Sequence, residues 1–151
     1  MKRTQLRSKE FAQEVSNANY QLEITKKDQI ELQEDEQKII YLNQKPAFFY
    51  QQNKLIPTLK ILLEKPLLKK ITVDMGAIPF IIKGADIMRP GIKIIDPQII
   101  KDEPLVIIDE KHQKPLAIGL ALYNATEMQT LTTGKVIKNI HYIGDDLWKR
   151  E

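Results

Sequence analysis

The stretch Asp74–Gly91 reads DMGAIPFIIKGADIMRPG and carries three of the six glycines of the chain. The Asp74 carboxylate can cap a helix, because it can accept from the free N–H groups of the first turn. Pro79 lacks an N–H and is therefore compatible only with the beginning of a helix. Gly84 suits the left-handed residue that ends a helix. The stretch therefore predicts a short helix within residues 76–83, followed by a tight turn at Pro90–Gly91 into a strand.

The spacing within this stretch also predicts which side of the helix is buried. Ile78, Ile81 and Ile82 recur at helical spacing and predict one apolar face. The ends of such a helix offer unpaired N–H groups, which bind phosphate, and Lys83 and Arg89 lie beside them in the sequence. The same glycines are equally compatible with close packing of a helix inside a small barrel. The residues alone leave both interpretations open.

Three sequence blocks carry a resemblance to a known family. The Gly-Ala, second Gly-Ala and Pro-Gly of this stretch resemble the start of a PUA domain, the RNA-binding module named after pseudouridine synthases and archaeosine transglycosylases. Residues 73–91, the upstream FFYQQNKLIPTLKILLEKP (48–66) and the terminal NIHYIGDDLWK (139–149) together resemble the malignant T-cell-amplified sequence family and its archaeal counterparts. That family consists of two-domain proteins linked to ribosome recycling and translation initiation. The resemblance covers about residues 47–150.

The resemblance implies an α+β fold with two domains. Residues 1–69 are expected to form a small α+β pre-PUA domain, and residues 70–151 a PUA-type pseudo-β-barrel with short helices. The boundary is placed at the basic pair Lys69–Lys70, shortly after Pro66.

The local patterns agree with this division. In the first half they predict a helix within residues 1–18, strands with a period of two over 20–24, 30–32, 39–42 and 47–50, and a helix opening at Pro57–Thr58. In the second half they predict strands at 92–95, 103–109, 116–122 and 135–143. Gly119 marks a bulge, and Asn124 and Glu127 have the spacing of a capping box.

The family's RNA groove follows this helix, the strand after it and the last strand of the barrel. Carried onto this chain, the resemblance implies an RNA-binding site of Gly76, Ala77, Lys83, Gly84, Ala85, Asp86, Arg89, Lys138, His141 and Tyr142. The glycines and alanines match the motif, whereas Lys83 and Arg89 are assigned from charge and neighbourhood. A structural role for His141 competes with direct RNA contact, and Tyr142 could stack on a base.

The composition narrows the function class. Lysine and arginine total 23 against 20 acidic residues, so the net charge of the chain is small. RNA would therefore have to bind a local cluster of basic residues. There is no cysteine, the two histidines lack metal-ligand spacing, and no nucleotide-binding or nucleophile motif occurs. We therefore expect a non-enzymatic protein without metal or cofactor. No run is long enough to span a membrane and no secretory leader is visible, which favours a cytoplasmic protein.

The leading hypothesis is an RNA-binding protein of the translation machinery. It would contact ribosomal RNA on the small ribosomal subunit, or the tRNA acceptor end, during initiation or recycling. Two alternatives remain from the sequence: an RNA-targeting subunit of a tRNA- or rRNA-modifying enzyme, and a protein–protein adaptor that uses its N-terminal domain.

Overall fold

The computed structural model describes residues 2–150, which form two compact units. One unit contains the residues up to Leu67 together with Arg150, and the other spans Leu68–Lys149. Within residues 2–150 there are eleven strands and four α-helices.

The first unit is a five-stranded antiparallel sheet with two helices. Its strands lie in chain order: β1 (Arg3–Gln5), β2 (Ile30–Glu34), β3 (Lys38–Leu42), β4 (Lys45–Gln51) and β5 (Lys54–Pro57). Helix α1 (Ser8–Asn17) follows β1, and α2 (Leu59–Leu62) follows β5. The turn between β3 and β4 has positive φ at both Asn43 and Gln44, the geometry that matches the twist of a two-residue hairpin.

The core of the first unit lies between α1 and the sheet. Phe11 and Val15 point inward from α1, and the Phe11 ring meets the Phe48 ring edge-on with centroids 5.7 Å apart. Phe48 is fully buried, as is its cross-strand partner Ile40. Burial of one such side chain contributes about 1.5–3 kcal/mol, so this cluster stabilises the unit substantially.

The second unit is a curled six-stranded sheet with short helices. In chain order its elements are β6 (Lys70–Val73), a 3₁₀ turn (Met75–Ala77), α3 (Ile78–Ile81), β7 (Ile87–Met88), a 3₁₀ turn (Arg89–Gly91), β8 (Ile92–Ile95), β9 (Pro104–Asp109), β10 (Pro115–Ala121), α4 (Ala125–Thr130) and β11 (Lys135–Tyr142). The strand order is β7-β11-β10-β9-β6-β8. Only β6 and β9 run parallel, and the other pairs are antiparallel. This α+β architecture, with a pseudo-barrel in the second unit, confirms the predicted fold class.

The core of the second unit lies inside the curl of the sheet. Ile71, Val73, Leu105 and Ile107 come from the parallel pair at its centre and are all fully buried. Against them pack residues of the other strands and of α3 and α4, including Ile81, Ile87, Ala125, Met128, Val136 and Ile137.

The bulge predicted at Gly119 is present in β10. The register against β11 shifts between Ile118 and Gly119. A β-carbon on Gly119 would lie 2.3 Å from Ile137 Cγ2 and 2.9 Å from the Lys138 carbonyl oxygen. Glycine is therefore required here so that the two strands can approach at the bulge.

Several element predictions are confirmed and one is wrong. The N-terminal helix is α1, and the capping box at Asn124 and Glu127 opens α4. Residues 20–24 do not form a strand, although their apolar residues alternate. The alternation instead belongs to an extended segment whose apolar side chains pack on the core, with the Tyr20 hydroxyl donating to the Leu55 carbonyl at 2.6 Å. Alternation of apolar and polar residues indicates an extended segment with one buried side. It does not indicate that the segment pairs with another strand.

None of the helices in the part of the chain that the structure describes has the length and apolar character needed to cross a membrane.

Candidate nucleic-acid interface

The segment Asp74–Gly91 leaves the sheet and returns to it at nearly the same point. The Asp74 amide donates to the Gly91 carbonyl at 2.9 Å, which joins the two ends of the segment. The Asp74 carboxylate accepts from the Ala77 amide at 2.9 Å and so caps the first turn, as predicted. The segment is therefore a fixed feature of the sheet edge.

The helix ends as its glycine predicts. Gly84 has φ of +96°, its amide donates to the Ile81 carbonyl at 3.0 Å, and the Ala85 amide donates to the Phe80 carbonyl at 3.0 Å. These two bonds form a Schellman motif, which satisfies the last helical carbonyls. The predicted buried face is only partly correct, because Ile82 is 39% exposed. The Ile82 amide still donates to the Ile78 carbonyl at 3.1 Å, so this residue belongs to the last turn, but its side chain lies at the solvent-facing edge of the helix.

A groove of about 690 Å³ runs between this segment and the sheet edge. Ile81 and Ile87 line it as buried side chains, while Phe80 and Met88 also line it but are 66% and 50% exposed. The other lining residues are small, acidic or basic: Asp74, Gly76, Ala77, Ala85, Asp86, Pro90, Gly91 and Lys135. Two large apolar side chains thus face solvent beside a surface of small residues.

Asn139 on β11 ties the helix to the last strand. Its side-chain amide donates to the carbonyls of Ile81 and Ala85, both at 3.0 Å, and its backbone amide donates to Asp86 at 2.9 Å. The sequence implicated the strand around residues 138–142, in which Asn139 lies, but did not single out Asn139 itself. The available signal was a polar side chain within the resembling block 139–149, next to the bulge at Gly119.

Asp86 is a structural member of the groove wall. One carboxylate oxygen accepts from the Asn139 amide, and the other lies 3.3 Å from the Lys135 ammonium. The carboxylate therefore partly neutralises Lys135, a lining cation that the sequence analysis did not name. Asp86 therefore holds the groove wall in place, and its contact with RNA stays a prediction.

Tyr142 packs against Gly84. A β-carbon on Gly84 would lie 3.0 Å from Tyr142 Cε1, so the ring occupies the space that a side chain would need. The Tyr142 amide donates to Asp145 at 2.9 Å, which holds the end of β11 in place. The structure therefore brings Tyr142 to the C-terminal end of α3, where Lys83 also lies.

Lys83 and Lys138 are exposed cations that neighbour residues of this junction in the sequence. Lys83 directly precedes Gly84, and Lys138 directly precedes the Asn139 tether. Neither ammonium has an ion-pair partner among the described residues. Both charges therefore remain available to an anionic ligand.

Arg89 has a different environment from the one predicted. Its Nε donates to the Met128 carbonyl in α4 at 2.8 Å, and its Nη1 donates to the Ile92 carbonyl at 3.4 Å. The side chain is half-buried and satisfies a carbonyl of the last turn of α4. Its contacts are those of a structural residue.

His141 is not at the surface. Its side chain is 1% exposed, and its Nδ1 lies 2.8 Å from the Asp145 carboxylate. Direct RNA contact by this ring is thus incompatible with its burial, and the competing structural interpretation fits the contacts. Burial raises the pKa of Asp145, but hydrogen bonds from His141 and from the amides of Trp148 and Tyr142 outweigh it and hold that pKa below its ordinary value.

No cluster of three or more histidine or carboxylate side chains in residues 2–150 has the arrangement of a metal site.

Comparison with known families assigns both units. The PUA domain model matches residues 69–143, and the model for a domain of unknown function, DUF1947, matches residues 4–65.

Curated relatives match across both regions. An uncharacterized protein of Methanocaldococcus jannaschii is 43% identical over 83% of this chain and 78% of its own length. Translation machinery-associated protein 20 of Saccharomyces cerevisiae is 37% identical over 83% of this chain and 74% of its own. Malignant T-cell-amplified sequence 1 of Rattus norvegicus is 34% identical over 73% of this chain and 63% of its own length.

Two solved archaeal structures share the fold along almost the whole chain. A hypothetical protein of Pyrococcus horikoshii superposes with a TM-score of 0.82 at 31% identity, covering 98% of each chain. A conserved PUA domain protein of Thermoplasma acidophilum gives a TM-score of 0.82 at 28% identity, again covering 98% of each chain.

Proposed function

Because this chain belongs to the family of PUA-domain proteins that includes translation machinery-associated protein 20 and the malignant T-cell-amplified sequence proteins, we propose that it is an RNA-binding protein of the translation machinery. Its role is to hold RNA, without a catalytic step. The names of the relatives supply the translation context, and the PUA domain supplies the RNA-binding role.

The observation that carries the proposal is the groove beside α3. Phe80 and Met88 are large apolar side chains exposed to solvent, next to a surface of glycine and alanine that lets a ligand approach the backbone. An exposed aromatic ring is a stacking platform for an unpaired base, because every base has a π-face. Lys83 and Lys138 supply positive charge close by, so a phosphate backbone can follow the same surface.

The groove favours an unpaired stretch of RNA within a structured molecule. Bases inside a duplex are stacked on each other, and a side chain such as Phe80 reaches only a base that is splayed out. We therefore propose ribosomal RNA on the small subunit, or the acceptor end of tRNA, as the bound RNA. We propose initiation or ribosome recycling as the step that the protein serves, with a cytoplasmic location in keeping with this role.

Replacement of Phe80 by alanine tests the site. The side chain is 66% exposed, so its removal costs little folding free energy. Loss of one stacked base weakens RNA binding by about 1–3 kcal/mol. Ile94→Ala is the matched control, because Ile94 is 63% exposed in the same unit and does not line the groove. The measurement is filter binding or fluorescence anisotropy with purified small subunits and with tRNA.

The two lysines are tested by the salt dependence of binding. Each phosphate neutralised contributes about −0.7 to −0.9 to the slope of log K against log salt. A Lys83→Glu, Lys138→Glu double variant is therefore expected to flatten the slope by about 1.4–1.8. The control is Lys93→Glu, Lys111→Glu, which changes the net charge equally at exposed positions elsewhere in the unit. If both double variants bind RNA alike, Lys83 and Lys138 do not contact the bound RNA.

The identity of the RNA is tested with tRNA that lacks its 3′-terminal nucleotides. If the acceptor end is held in the groove, the truncated tRNA binds more weakly to the wild type but equally to Phe80→Ala. If truncation has no effect and small subunits still bind, the ribosomal RNA is the ligand.

A further inference from the structure

A second hollow, of about 800 Å³, lies within the first unit beside the turn that joins β3 and β4. Its base is apolar and is formed by Leu22, Leu42, Pro46, Ala47 and Ile61. Its volume is sufficient for one or two aliphatic side chains or an aromatic ring. The hollow has no part in the RNA-binding groove, so its role goes beyond the proposed function.

The neutral polar side chains at its rim are already engaged within the protein. Asn43 Oδ1 accepts from the Gln29 amide at 2.8 Å, and its Nδ2 donates to Asp28 at 3.0 Å. Gln44 donates to the Gln29 side chain and accepts from Arg3. These contacts shape the hairpin turn and leave the charged side chains to meet a ligand.

The charged rim is strongly positive. Lys45, Lys60, Lys65 and Arg150 line the hollow, against a single carboxylate, Glu64. Lys60 donates to the Arg150 carbonyl at 2.8 Å, and the Arg150 guanidinium lies 3.5 Å from Asp35. Lys45 and Lys65 are exposed, and neither has an ion-pair partner in the part of the chain that the structure describes. Ammonium groups only donate, so the complementary ligand must offer acceptors with negative charge.

We propose that this hollow is a docking site for an acidic segment of a partner protein. An apolar side chain of that segment fills the base, and flanking Asp or Glu carboxylates meet Lys45 and Lys65. The charged rim raises the association rate and selects acidic segments, while the apolar base retains them.

The lining distinguishes a protein segment from RNA. None of the residues lining the hollow is aromatic, so the hollow offers no ring on which an unpaired RNA base can stack. An aliphatic base suits a Leu, Ile, Met or Phe side chain instead. The two units thus present different chemistry, with an exposed aromatic ring in the second and an aliphatic hollow ringed by cations in the first.

The test uses the full chain, labelled with ¹⁵N, and a panel of short synthetic peptides. Each peptide carries one central Leu, Ile, Met or Phe flanked on both sides by Asp and Glu. At least one panel member is expected to shift the amide resonances of residues 42–47 and 60–65 in a saturable manner. The same peptide with Asn and Gln in place of the acids is expected to bind about tenfold more weakly.

A charge-reversal variant links binding to the hollow. Lys45→Glu, Lys65→Glu is expected to weaken the best peptide about tenfold or more, because attraction becomes repulsion at two positions. Lys26→Glu, Lys27→Glu is the matched control, with the same charge change at exposed lysines that do not line the hollow, and should change affinity less than about twofold. All substituted side chains are exposed, so folding is preserved.

Three outcomes overturn the proposal. The first is a panel in which no peptide shifts these resonances. The second is equal binding of the neutral and acidic peptides, which would remove the charge requirement. The third is a uridine oligonucleotide that shifts the same resonances and binds more tightly than every peptide, which would make the hollow a second RNA-binding surface.

Discussion

Replacement of Gly84 by alanine adds two energetic costs, backbone strain and a close contact with Tyr142. Comparison with Gly134→Ala separates the two. Gly84 and Gly134 both have left-handed φ, +96° and +91°. An alanine in this region costs about 1–2 kcal/mol at either position. At Gly84 the new β-carbon would also lie 3.0 Å from Tyr142 Cε1, whereas at Gly134 it would meet nothing within 4 Å.

The contact adds a further cost at Gly84 alone. The Tyr142 ring has to shift by a few tenths of an ångström, while its backbone amide stays bonded to Asp145. A side chain displaced from its rotamer costs about 0.5–1.5 kcal/mol. We therefore expect Gly84→Ala to lower the free energy of unfolding by about 1.5–3.5 kcal/mol and Gly134→Ala by about 1–2 kcal/mol.

Urea unfolding followed by the fluorescence of Trp148 measures this difference. Trp148 is the only tryptophan of the chain and lies in the second unit, so it reports on that unit. In a Tyr142→Ala background the extra cost at Gly84 should disappear, giving a coupling energy of about 0.5–1.5 kcal/mol. Equal destabilisation by the two glycine substitutions, or a difference that survives removal of Tyr142, would refute the reasoning.

Three further predictions concern the tethers around the groove. Asn139→Ala removes two hydrogen bonds to backbone carbonyls and should lower the free energy of unfolding by about 1–3 kcal/mol, with weaker RNA binding even below the unfolding transition. Arg89→Gln, which loses the hydrogen bond to the Met128 carbonyl, should lower the free energy of unfolding by about 1 kcal/mol and leave RNA affinity unchanged. Weaker RNA binding by the folded variant would instead support the RNA contact that was predicted for Arg89. The pKa of Asp145 is lower in the folded protein than in the unfolded chain. The ionised Asp145 carboxylate therefore stabilises the fold at pH values above its unfolded-state pKa, and this stabilisation is lost as the pH falls through its folded-state pKa. Acid unfolding of Asp145→Asn should accordingly depend less on pH below about 4 than that of the wild type, and identical acid profiles would contradict this.

Local chemistry made the segment Asp74–Gly91 predictable. Helix caps depend on a few neighbouring residues, so Asp74 and Gly84 are placed correctly from the sequence. Ile82 shows the limit of the same reasoning, because helical spacing places it next to Ile81 but does not say how wide the buried face of the helix is.

The roles of charged and polar side chains were harder to predict, since they depend on contacts distant in sequence. Arg89 faces α4 rather than solvent because the Met128 carbonyl lies within its reach. His141 is buried because its strand position faces Asp145 and the interior. Asn139 was not singled out because its acceptors, at Ile81 and Ala85, become its neighbours only when β11 pairs with β7.

The pairing of β7 with β11 makes the groove depend on residues that are far apart in the sequence. Met88 faces Lys135 across that pair, and the parallel strands β6 and β9 also join distant parts of the chain. Contacts between remote segments form late, since the entropy of closing long loops is lost before they are made. A chain truncated after α4 would keep the residues of the capped helix but lack both Lys135 and the Asn139 tether, so we expect it not to form the groove.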